Sequence, residues 1–421
     1  NQKIENNNQK IENNIQSISM TNPSILCICY NRPDYLTRTL DSLQSINGWE
    51  KYPVYISQDG HDSKTAQVAQ SYVRSTPNWH HWQRDRTPKL AKNQPSTAYL
   101  AQHYGFALKR IFNEYGHSSV IIIEDDMIFS PDFLEYFEQT AHLLDQDPTL
   151  WAISSWNDNG FDRFDWDPTR LFRNSFFPGL GWMLARDVYK QDLEANWPTN
   201  HWDHWMRANA QGRDTICPEV SRNHNIGEKG SNLTPSRFKQ RFSSIVWSDG
   251  AQSDFGDLSY LLKSNYEAYV RALINDADVY YTFSKKLIRK ESTRVLIPYA
   301  SEGFKQLSTQ VGIWEMPRTH FQYHTIVKLE GSTLILADTK LSTLLPPSLQ
   351  KQPDTTFQLI PARDVQINCI QTCRESALEC LPDHFDWLNS CLVMKRFFPC
   401  ERGCHMEWGP DLPAYINDVK N

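Results

Sequence analysis

Between Ser24 and Asp126 the sequence alternates short apolar runs with longer stretches of helical periodicity. The apolar runs are Ile25–Cys29, Val54–Ser57 and Val120–Ile123. The intervals carry amphipathic helical patterns, one with Leu36, Leu40 and Leu43 on a single face and another beginning at about Ser96. Strand, helix, strand, helix and strand in this order predict an α/β fold with parallel strands in its sheet.

Polar and charged residues follow each apolar run at the point where the predicted strand ends. Arg32 follows the first run, Asp59 follows the second, and Glu124, Asp125 and Asp126 follow the third. Ligands of such sheets bind at the carboxyl ends of the strands, so we expect these side chains to line one crevice.

Adjacent carboxylates at the end of a buried strand must be solvated, capped by backbone amides or neutralised by a cation. A hard divalent ion such as Mn²⁺ or Mg²⁺ takes oxygen ligands, and few protein carboxylates are needed when a diphosphate supplies the rest. The cluster from Glu124 to Asp126 is equally compatible with an acidic strand end beside a helix N-terminus. Spacing alone leaves both interpretations open.

The composition narrows the class of protein. The formal net charge is −6, and the absence of any Lys/Arg run in the sequence argues against nucleic acid as a partner. Aromatic residues make up 12% and include 14 Trp, which suits an enzyme whose clefts bind sugars or nucleobases. No apolar stretch approaches the roughly 20 residues that span a bilayer. Any signal or membrane anchor is therefore expected to lie upstream or to have been removed.

A chain of 421 residues favours two or more domains. Residues 1–21 open with a repeated heptapeptide, for which a flexible polar stem is favoured over a short coiled coil. We assign residues 22–258 to the main α/β domain, 259–343 to a smaller α+β domain, and 344–421 to a linker and a cysteine-rich module. The smaller domain includes a predicted hairpin that turns at Glu330-Gly331.

Six of the nine cysteines crowd the C-terminal end, at Cys369, Cys373, Cys380, Cys391, Cys400 and Cys404. Their spacings do not fit paired zinc knuckles. A disulfide framework of open connectivity fits better, and it implies an oxidising compartment such as the secretory lumen.

Several longer motifs follow one another in a fixed order. They are Ile123-Glu-Asp-Asp126 with Pro131-Asp-Phe133, Ser155-Trp-Asn-Asp-Asn-Gly160, Phe177-Pro-Gly-Leu-Gly-Trp182, Trp197-Pro198, Trp202-Asp-His-Trp-Met-Arg207 and Pro218-Glu-Val-Ser-Arg222. By these motifs, the run from Ile25 to about Leu336 resembles the N-acetylglucosaminyltransferase I family. Protein O-mannose N-acetylglucosaminyltransferase is a close relative of that family.

The resemblance implies an A-type glycosyltransferase fold, a Rossmann-like mixed sheet that binds a nucleotide sugar, with residues 22–258 as the catalytic domain. It implies UDP-N-acetylglucosamine as donor and Mn²⁺ as cofactor, with Mg²⁺ as the alternative. By motif position, it implies Asp126 as the metal ligand and Glu124 and Asp125 as contacts of the donor's sugar and ribose. Asp59 is implied to accept from the uracil imide, and Arg32 to contact the nucleotide.

Further donor-site residues follow from the same resemblance. Leu180 and Trp202 lie within the shared motifs, and Gly230, Ser231 and Asn232 match a loop that closes over the diphosphate. Because Asn232-Leu-Thr234 is also a glycosylation sequon, we expect it to remain unmodified. His103 matches a histidine near the donor, but it also lies on an apolar helix face, where a satisfied core histidine is as good an interpretation.

Asp203 is implied as the catalytic base, because the family's base directly follows the first Trp of Trp202-Asp-His-Trp-Met-Arg207. Inverting transfer needs one carboxylate to take the proton of the attacking hydroxyl. It forms no covalent intermediate, so no nucleophilic side chain is required. From the residues alone, an N-cap at the start of a helix is the competing interpretation of Asp203.

The sequence also departs from the family at several positions. His204 stands where N-acetylglucosaminyltransferase I has a second acid, which bears on acceptor recognition. Cys27, Cys29 and Cys217 do not reproduce the family's disulfides, since Gly60 and Ala152 occupy the positions of expected partners. The first three C-terminal cysteines, Cys369, Cys373 and Cys380, and the following Pro382 are instead similar in spacing to the cysteine-rich end of N-acetylglucosaminyltransferase V.

We therefore expect β-N-acetylglucosaminyl transfer from UDP-N-acetylglucosamine to a mannose residue of an N-glycan. The expected compartment is the Golgi or another secretory-pathway lumen, with a type II membrane topology if an anchor lies upstream. Transfer to O-mannosyl protein, a catalytically silent glycan-binding protein and a hydrolase of nucleotide sugars are the alternatives.

Overall fold

The computed structural model describes residues 23–86, 96–210, 212–228, 242–248, 254–288, 293–300, 303–351, 358, 360–364, 367–380 and 394. The predicted stem, the loop at Gly230, Ser231 and Asn232 with its sequon, and Cys391, Cys400 and Cys404 lie outside these residues. Within the described residues, no helix combines the length and the apolar character needed to cross a bilayer.

The main sheet has eight strands in the order β3-β2-β1-β4-β8-β6-β9-β7. The first four strands in this order run parallel, β8 is antiparallel to β4 and β6, and β7 is antiparallel to β9. A short antiparallel pair, β5 and β10, forms a separate two-stranded sheet. The strands are β1 Pro23–Cys29, β2 Val54–Asp59, β3 Trp79–Arg84, β4 Ser119–Glu124, β5 Met127–Phe129, β6 Leu150–Ser154, β7 Leu171–Asn174, β8 Trp182–Ala185, β9 Asp214–Pro218 and β10 Asn223–Asn225.

Helices connect these strands and cover the sheet. The α-helices are Pro33–Gln44, Ser63–Ser75, Ser96–Lys109, Phe133–Thr140, His142–Gln146, Arg186–Val188, Trp202–Asn209, Lys263–Asn275, Phe304–Val311 and Cys369–Glu375. Wider π-helical turns at Arg110–Glu114 and Tyr189–Leu193 continue two of them, and short 3₁₀ turns lie at Trp49–Lys51, Ser259–Leu261, Lys285–Leu287 and Pro347–Leu349.

The predicted α/β architecture with a mixed sheet is confirmed. Strands β1, β2 and β4 are buried along nearly their whole length because helices cover both faces of the parallel part of the sheet. The sequence analysis missed β3 and the helix Ser63–Ser75. Strand β3 lies at the sheet edge and reads Trp-His-His-Trp-Gln-Arg, so it lacks the continuous apolar run of a central strand.

A second sheet of four strands has the order β11-β12-β14-β13. Its strands are β11 Asp278–Val279, β12 Arg294–Tyr299, β13 His324–Leu329 and β14 Ser332–Asp338. The predicted hairpin is present, and it turns at Glu330 and Gly331 with φ angles of 49° and 78°. One cluster of buried side chains contains Leu150 and Ile216 of the main sheet together with Leu296 and Ile335 of the second. The two sheets therefore share a core, and a domain boundary after residue 258 stays a prediction.

Asp132 occupies the N-cap position of the helix Phe133–Thr140, but its side chain makes no capping hydrogen bond. Its carboxylate instead pairs with the buried Arg222 at 2.8 Å, because a buried guanidinium needs a counter-charge.

Among the described cysteines, one disulfide joins Cys373 to Cys380, so the larger framework stays a prediction.

Candidate active site

The carboxyl ends of β1 and β4 bring Arg32 onto the acidic cluster, as predicted. Register pairs Ile28 of β1 with Glu124 of β4, so the residues that follow each strand meet at one edge of the sheet. Arg32 Nη1 lies 2.7 Å from Asp126 Oδ2, and its Nη2 pairs with Asp125 Oδ1. Adjacent carboxylates are thus held beside a guanidinium rather than left unpaired.

Glu124 is held by a different residue, Tyr104 of the helix Ser96–Lys109. The Tyr104 hydroxyl donates to Glu124 Oε1 at 2.6 Å, and the Tyr104 ring stacks on Trp202 with centroids 4.1 Å apart. Burial and the neighbouring Asp126 charge raise the pKa of Glu124 to about 7. Tyr104 therefore connects the acidic cluster to the helix that carries Asp203. In the sequence, Tyr104 is only one residue of the helical pattern that begins at about Ser96.

Asp59 lies at the carboxyl end of β2 and is bound by two arginines that the sequence analysis missed. Arg84 Nη1 donates to Oδ1 at 2.6 Å, and Arg86 Nε donates to Oδ2 at 2.7 Å. The Arg86 guanidinium also stacks over the rings of Tyr30 and Tyr99, at 3.7 and 4.5 Å from their centroids. In the sequence, the feature that could have indicated them is a pair of arginines, two residues apart, at the end of β3.

His103 is buried in the interface between the helix Ser96–Lys109 and β2. Its Nε2 lies 2.8 Å from Ser57 Oγ, so the geometry is that of a satisfied core histidine. Burial lowers the pKa of His103 to about 4. A contact with the donor stays a prediction from the resemblance.

This burial predicts an acid-sensitive contribution to stability. Unfolding exposes His103 and returns its pKa to about 6.5, so between about pH 6.5 and pH 4 the unfolded chain binds a proton that the folded chain does not. The free energy of unfolding therefore falls as the pH is lowered through this window, by at most about 1.4 kcal/mol per pH unit for this group. In the variant His103→Gln, the free energy of unfolding, measured with urea between pH 7 and pH 4, should depend less steeply on pH than in the wild type.

The exposed His142 provides the control. His142→Gln should keep the wild-type pH dependence of the unfolding free energy. If the free energy of unfolding of His103→Gln depended on pH as steeply as that of the wild type, this would contradict the burial of an uncharged imidazole at this position.

Asp203 lies in the first turn of the helix Trp202–Asn209 and is partly open to solvent, with 36% of its side chain exposed. The N-cap interpretation is wrong, because the N-cap position is held by His201, which has a φ of 44°. Arg207 Nη1 pairs with Asp203 Oδ2 at 2.8 Å, and Arg207 Nε donates to the carbonyl of Phe177 at 3.0 Å. A guanidinium fixed by the backbone thus orients the exposed carboxylate.

The motif residues Leu180 and Trp202 flank the same region. Trp202 is buried and stacks on Trp182 as well as on Tyr104. Leu180 lies between Gly179 and Gly181, and its carbonyl accepts from Ser154 Oγ at 3.3 Å. Gly181 has a φ of 57°, and a Cβ there would lie 2.5 Å from Ser155 Oγ, so this turn requires glycine.

A model of the GNT-I family matches residues 2–346 of the chain. The chain belongs to the GNT-I family. An Arabidopsis thaliana relative, named alpha-1,3-mannosyl-glycoprotein 2-beta-N-acetylglucosaminyltransferase, is 36% identical over 324 residues, which cover 73% of this chain and 71% of the relative. The resemblance inferred from the ordered motifs is thereby confirmed.

Two solved structures have a remote likeness to this GNT-I family member. The match to S. aureus TarS 1-349 covers 49% of this chain and 61% of the TarS chain, at 14% identity and a TM-score of 0.36. A second match is the mannosyltransferase PcManGT from Pyrobaculum calidifontis in complex with GDP-Man and Mn²⁺. It covers 47% of this chain and 54% of the PcManGT chain, at 16% identity and a TM-score of 0.32. At TM-scores this low, neither likeness supports an inference.

The residues around Asp126 fit a divalent cation held by one carboxylate. Asp126 Oδ1 has a weak partner, Asn225 Nδ2 at 3.5 Å, and Asp125 Oδ2 is buried without a hydrogen-bond partner among the described residues. A Cβ on Gly227 would lie 2.9 Å from Asp126 Cγ, so only glycine lets the backbone approach this carboxylate so closely. Within the described residues, no three His, Cys, Asp or Glu side chains are grouped as a metal cage. A cation here would need further oxygen ligands from phosphate and water.

Proposed function

We propose that this protein transfers N-acetylglucosamine from UDP-N-acetylglucosamine to a mannose residue of an N-glycan, with inversion to a β linkage. Membership of the GNT-I family and the 36% identical relative support this activity. The observation that carries it is the link through Tyr104, which bonds to Glu124 and stacks on Trp202, next to Asp203. Acidic residues suited to the donor and an exposed carboxylate suited to the acceptor thus belong to one site.

On the donor side, we assign Asp126 as the residue that would hold Mn²⁺ or Mg²⁺. When bound, such an ion supplies Lewis-acid stabilisation of the departing diphosphate. Arg32 offers a guanidinium at the same edge, where phosphate oxygens can accept its hydrogen bonds. The other assigned donor contacts are Asp59, His103, Glu124, Asp125, Leu180, Trp202, Gly230, Ser231 and Asn232.

On the acceptor side, we assign Asp203 as the base. As the acceptor hydroxyl oxygen forms its bond to the anomeric carbon, the bond to the UDP oxygen breaks and its electron pair leaves with UDP. The hydroxyl proton passes to the Asp203 carboxylate. Arg207 orients this carboxylate, because its guanidinium is itself anchored on the carbonyl of Phe177.

We assign the protein to the lumen of the secretory pathway, with the Golgi as the expected organelle. A mannosyl-glycoprotein acceptor and the disulfide between Cys373 and Cys380 both favour a luminal, oxidising compartment.

The test is turnover of UDP-N-acetylglucosamine by the purified protein with Mn²⁺ and a panel of acceptors. We expect UDP release that depends on a mannose-terminated N-glycan, stops with EDTA and returns when Mn²⁺ is added in excess. Preference for an O-mannosyl peptide would favour the related activity instead. Release of free N-acetylglucosamine without an acceptor would indicate a hydrolase, and glycan binding without turnover would indicate a silent binding protein.

A further inference from the structure

A cleft separate from the proposed transfer site is lined by the edge strands of both sheets. Residues of β7 and β13 contribute to it, together with Glu219 after β9 and the helix Lys263–Asn275. It holds about 630 Å³ of space, part of which is open to solvent. Among the described residues, none that we assign to the donor, the metal or the acceptor lines this cleft. A ligand bound here would therefore leave the transfer site free.

Arg170 lies just before β7 and is a cation of this cleft without an acidic partner. Its guanidinium lies 4.3 Å from the ring centroid of Tyr260 and 4.9 Å from that of Tyr269. Among the described residues, no carboxylate forms an ion pair with it. Contacts with ring faces leave most of the five N–H donors of a guanidinium unused. The half-buried Arg170 can therefore bind a carboxylate of a ligand through two parallel hydrogen bonds.

The other two cationic side chains that line the cleft are already paired. Arg173 is buried, and its guanidinium lies 2.7 Å from Asp147 Oδ2 and 2.9 Å from Asp214 Oδ2. Lys328 Nζ lies 3.2 Å from Glu219 Oε2. The lining thus offers a ligand a single unmatched positive charge. One such charge suits a monocarboxylate better than a phosphate, which carries about −1.5 to −2 charges at pH 7.

His320 offers a second hydrogen-bond donor to the same cleft. Its Nδ1 accepts from the backbone N–H of Tyr323 at 3.2 Å, which places the hydrogen of the neutral ring on Nε2. Burial lowers the pKa of His320 to about 4, so the ring is neutral at pH 7. Its Nε2 has no hydrogen-bond partner among the described residues. An oxygen atom of a ligand would supply the missing acceptor.

Other groups in the cleft suit hydroxyls and an apolar ring face. Thr333 lines the cleft, and its hydroxyl forms no hydrogen bond with another described residue. Lys328 Nζ keeps at least one N–H beyond its contacts with Glu219, because an ammonium group has three. The Trp166 indole donates to the carbonyl of Phe161 at 3.0 Å, so its ring is fixed in the lining. An aromatic face held in this way can pack against the C–H face of a sugar ring.

We propose that this cleft is a binding site for an acidic monosaccharide. The carboxylate of the ligand binds Arg170 and the Nε2–H of His320. Its hydroxyls bind Thr333 and Lys328, while its ring packs on Trp166. The site takes no part in the proposed transfer, and its existence does not depend on that function.

The first test is binding of D-glucuronate to the purified full chain, followed by ligand-observed NMR titration. D-Glucose, which lacks the carboxylate, and acetate, which lacks the ring and its hydroxyls, are the matched probes. We expect D-glucuronate to bind saturably and each of the other two to bind at least about tenfold more weakly, because each lacks one set of contacts. UDP with Mn²⁺ should not displace D-glucuronate, since the transfer site is separate.

Three variants locate the binding in this cleft. Arg170→Gln should raise the Kd for D-glucuronate by about tenfold or more, the usual effect of losing hydrogen bonds between charged groups. Thr333→Val removes only a hydroxyl at nearly constant shape, so it should raise this Kd by about threefold and leave the Kd for acetate unchanged. Arg163→Gln is the control and should bind like the wild type. Arg163 also lies over an aromatic ring, 5.0 Å from the centroid of Phe161, but it does not line the cleft.

The outcomes that would overturn the site are equally specific. Equal affinity for D-glucose and D-glucuronate would show that no carboxylate is recognised, and equal affinity for acetate would show that no sugar is recognised. No binding by the wild type, displacement of D-glucuronate by UDP, or undiminished binding by both Arg170→Gln and Thr333→Val would each refute it. Circular dichroism checks that each variant is folded, and if Arg170→Gln is not, the Kd of Thr333→Val decides.

Discussion

The variant Asp203→Asn is expected to lower kcat for transfer by about 10²–10⁴-fold, the usual contribution of a positioned general base. Asparagine keeps an oxygen that can accept from Arg207, so the local geometry should persist while the proton acceptor is lost. The KM for UDP-N-acetylglucosamine should not change, because Asp203 is proposed to contact the acceptor and not the donor. Steady-state UDP release at saturating acceptor measures the effect.

Asp192→Asn is the matched control. Asp192 also pairs with an arginine, Arg213, at 2.5 Å, and 24% of its side chain is exposed. This variant should retain wild-type kcat, and both variants should unfold within about 1 kcal/mol of the wild type, since such exposed pairs contribute little to stability. Full activity in Asp203→Asn would exclude Asp203 as the base.

Gly227→Ala is the second change with a large expected effect, although it adds a single methyl group. That methyl group would overlap Asp126 Oδ2 and lie 2.9 Å from Asp126 Cγ. The backbone cannot easily retreat, because Ile226 N–H donates to the Asp126 carbonyl at 2.8 Å. The carboxylate must therefore turn away, and we expect activity to fall by about 10²-fold or more with a higher Mn²⁺ requirement.

Gly303→Ala tests whether this effect is local. A Cβ at Gly303 would meet nothing within 4 Å, so that variant should keep wild-type activity and Mn²⁺ dependence. If Gly227→Ala had the Mn²⁺ titration curve and kcat of the wild type, Asp126 would not be the residue that holds the metal.

The central sheet was predictable because its inner strands carry their own signal. Strands β1, β2 and β4 contain short apolar runs, because burial on both faces favours apolar side chains at most of their positions. Strand β3 was missed because an edge strand needs few apolar residues, and only Trp79, Trp82 and Arg84 are buried in it. The sequence cues for strands thus weaken toward the edge of the sheet.

The site was predictable where single segments carry it and unpredictable where distant segments meet. The acidic cluster after β4 and Asp203 in its aromatic motif were assigned from motifs that resemble those of the family, each within one segment. Gly227 reaches Asp126 only because β5 and β10 pair, with Asn225 opposite Met127. Arg318 likewise lies near Asp158 only because the loop that carries Trp314 docks on the Asp158 carbonyl, and no spacing pattern in the sequence reports such contacts.

The most direct measurement of the proposed function is the anomeric configuration of the transferred sugar. Purified protein would be incubated with UDP-N-acetylglucosamine, Mn²⁺ and a mannose-terminated N-glycan, and the product examined by proton NMR. We expect N-acetylglucosamine joined to a mannose in the β configuration, because a single displacement with Asp203 as base inverts the anomeric carbon. An α-linked product, or free N-acetylglucosamine with the acceptor unchanged, would contradict it.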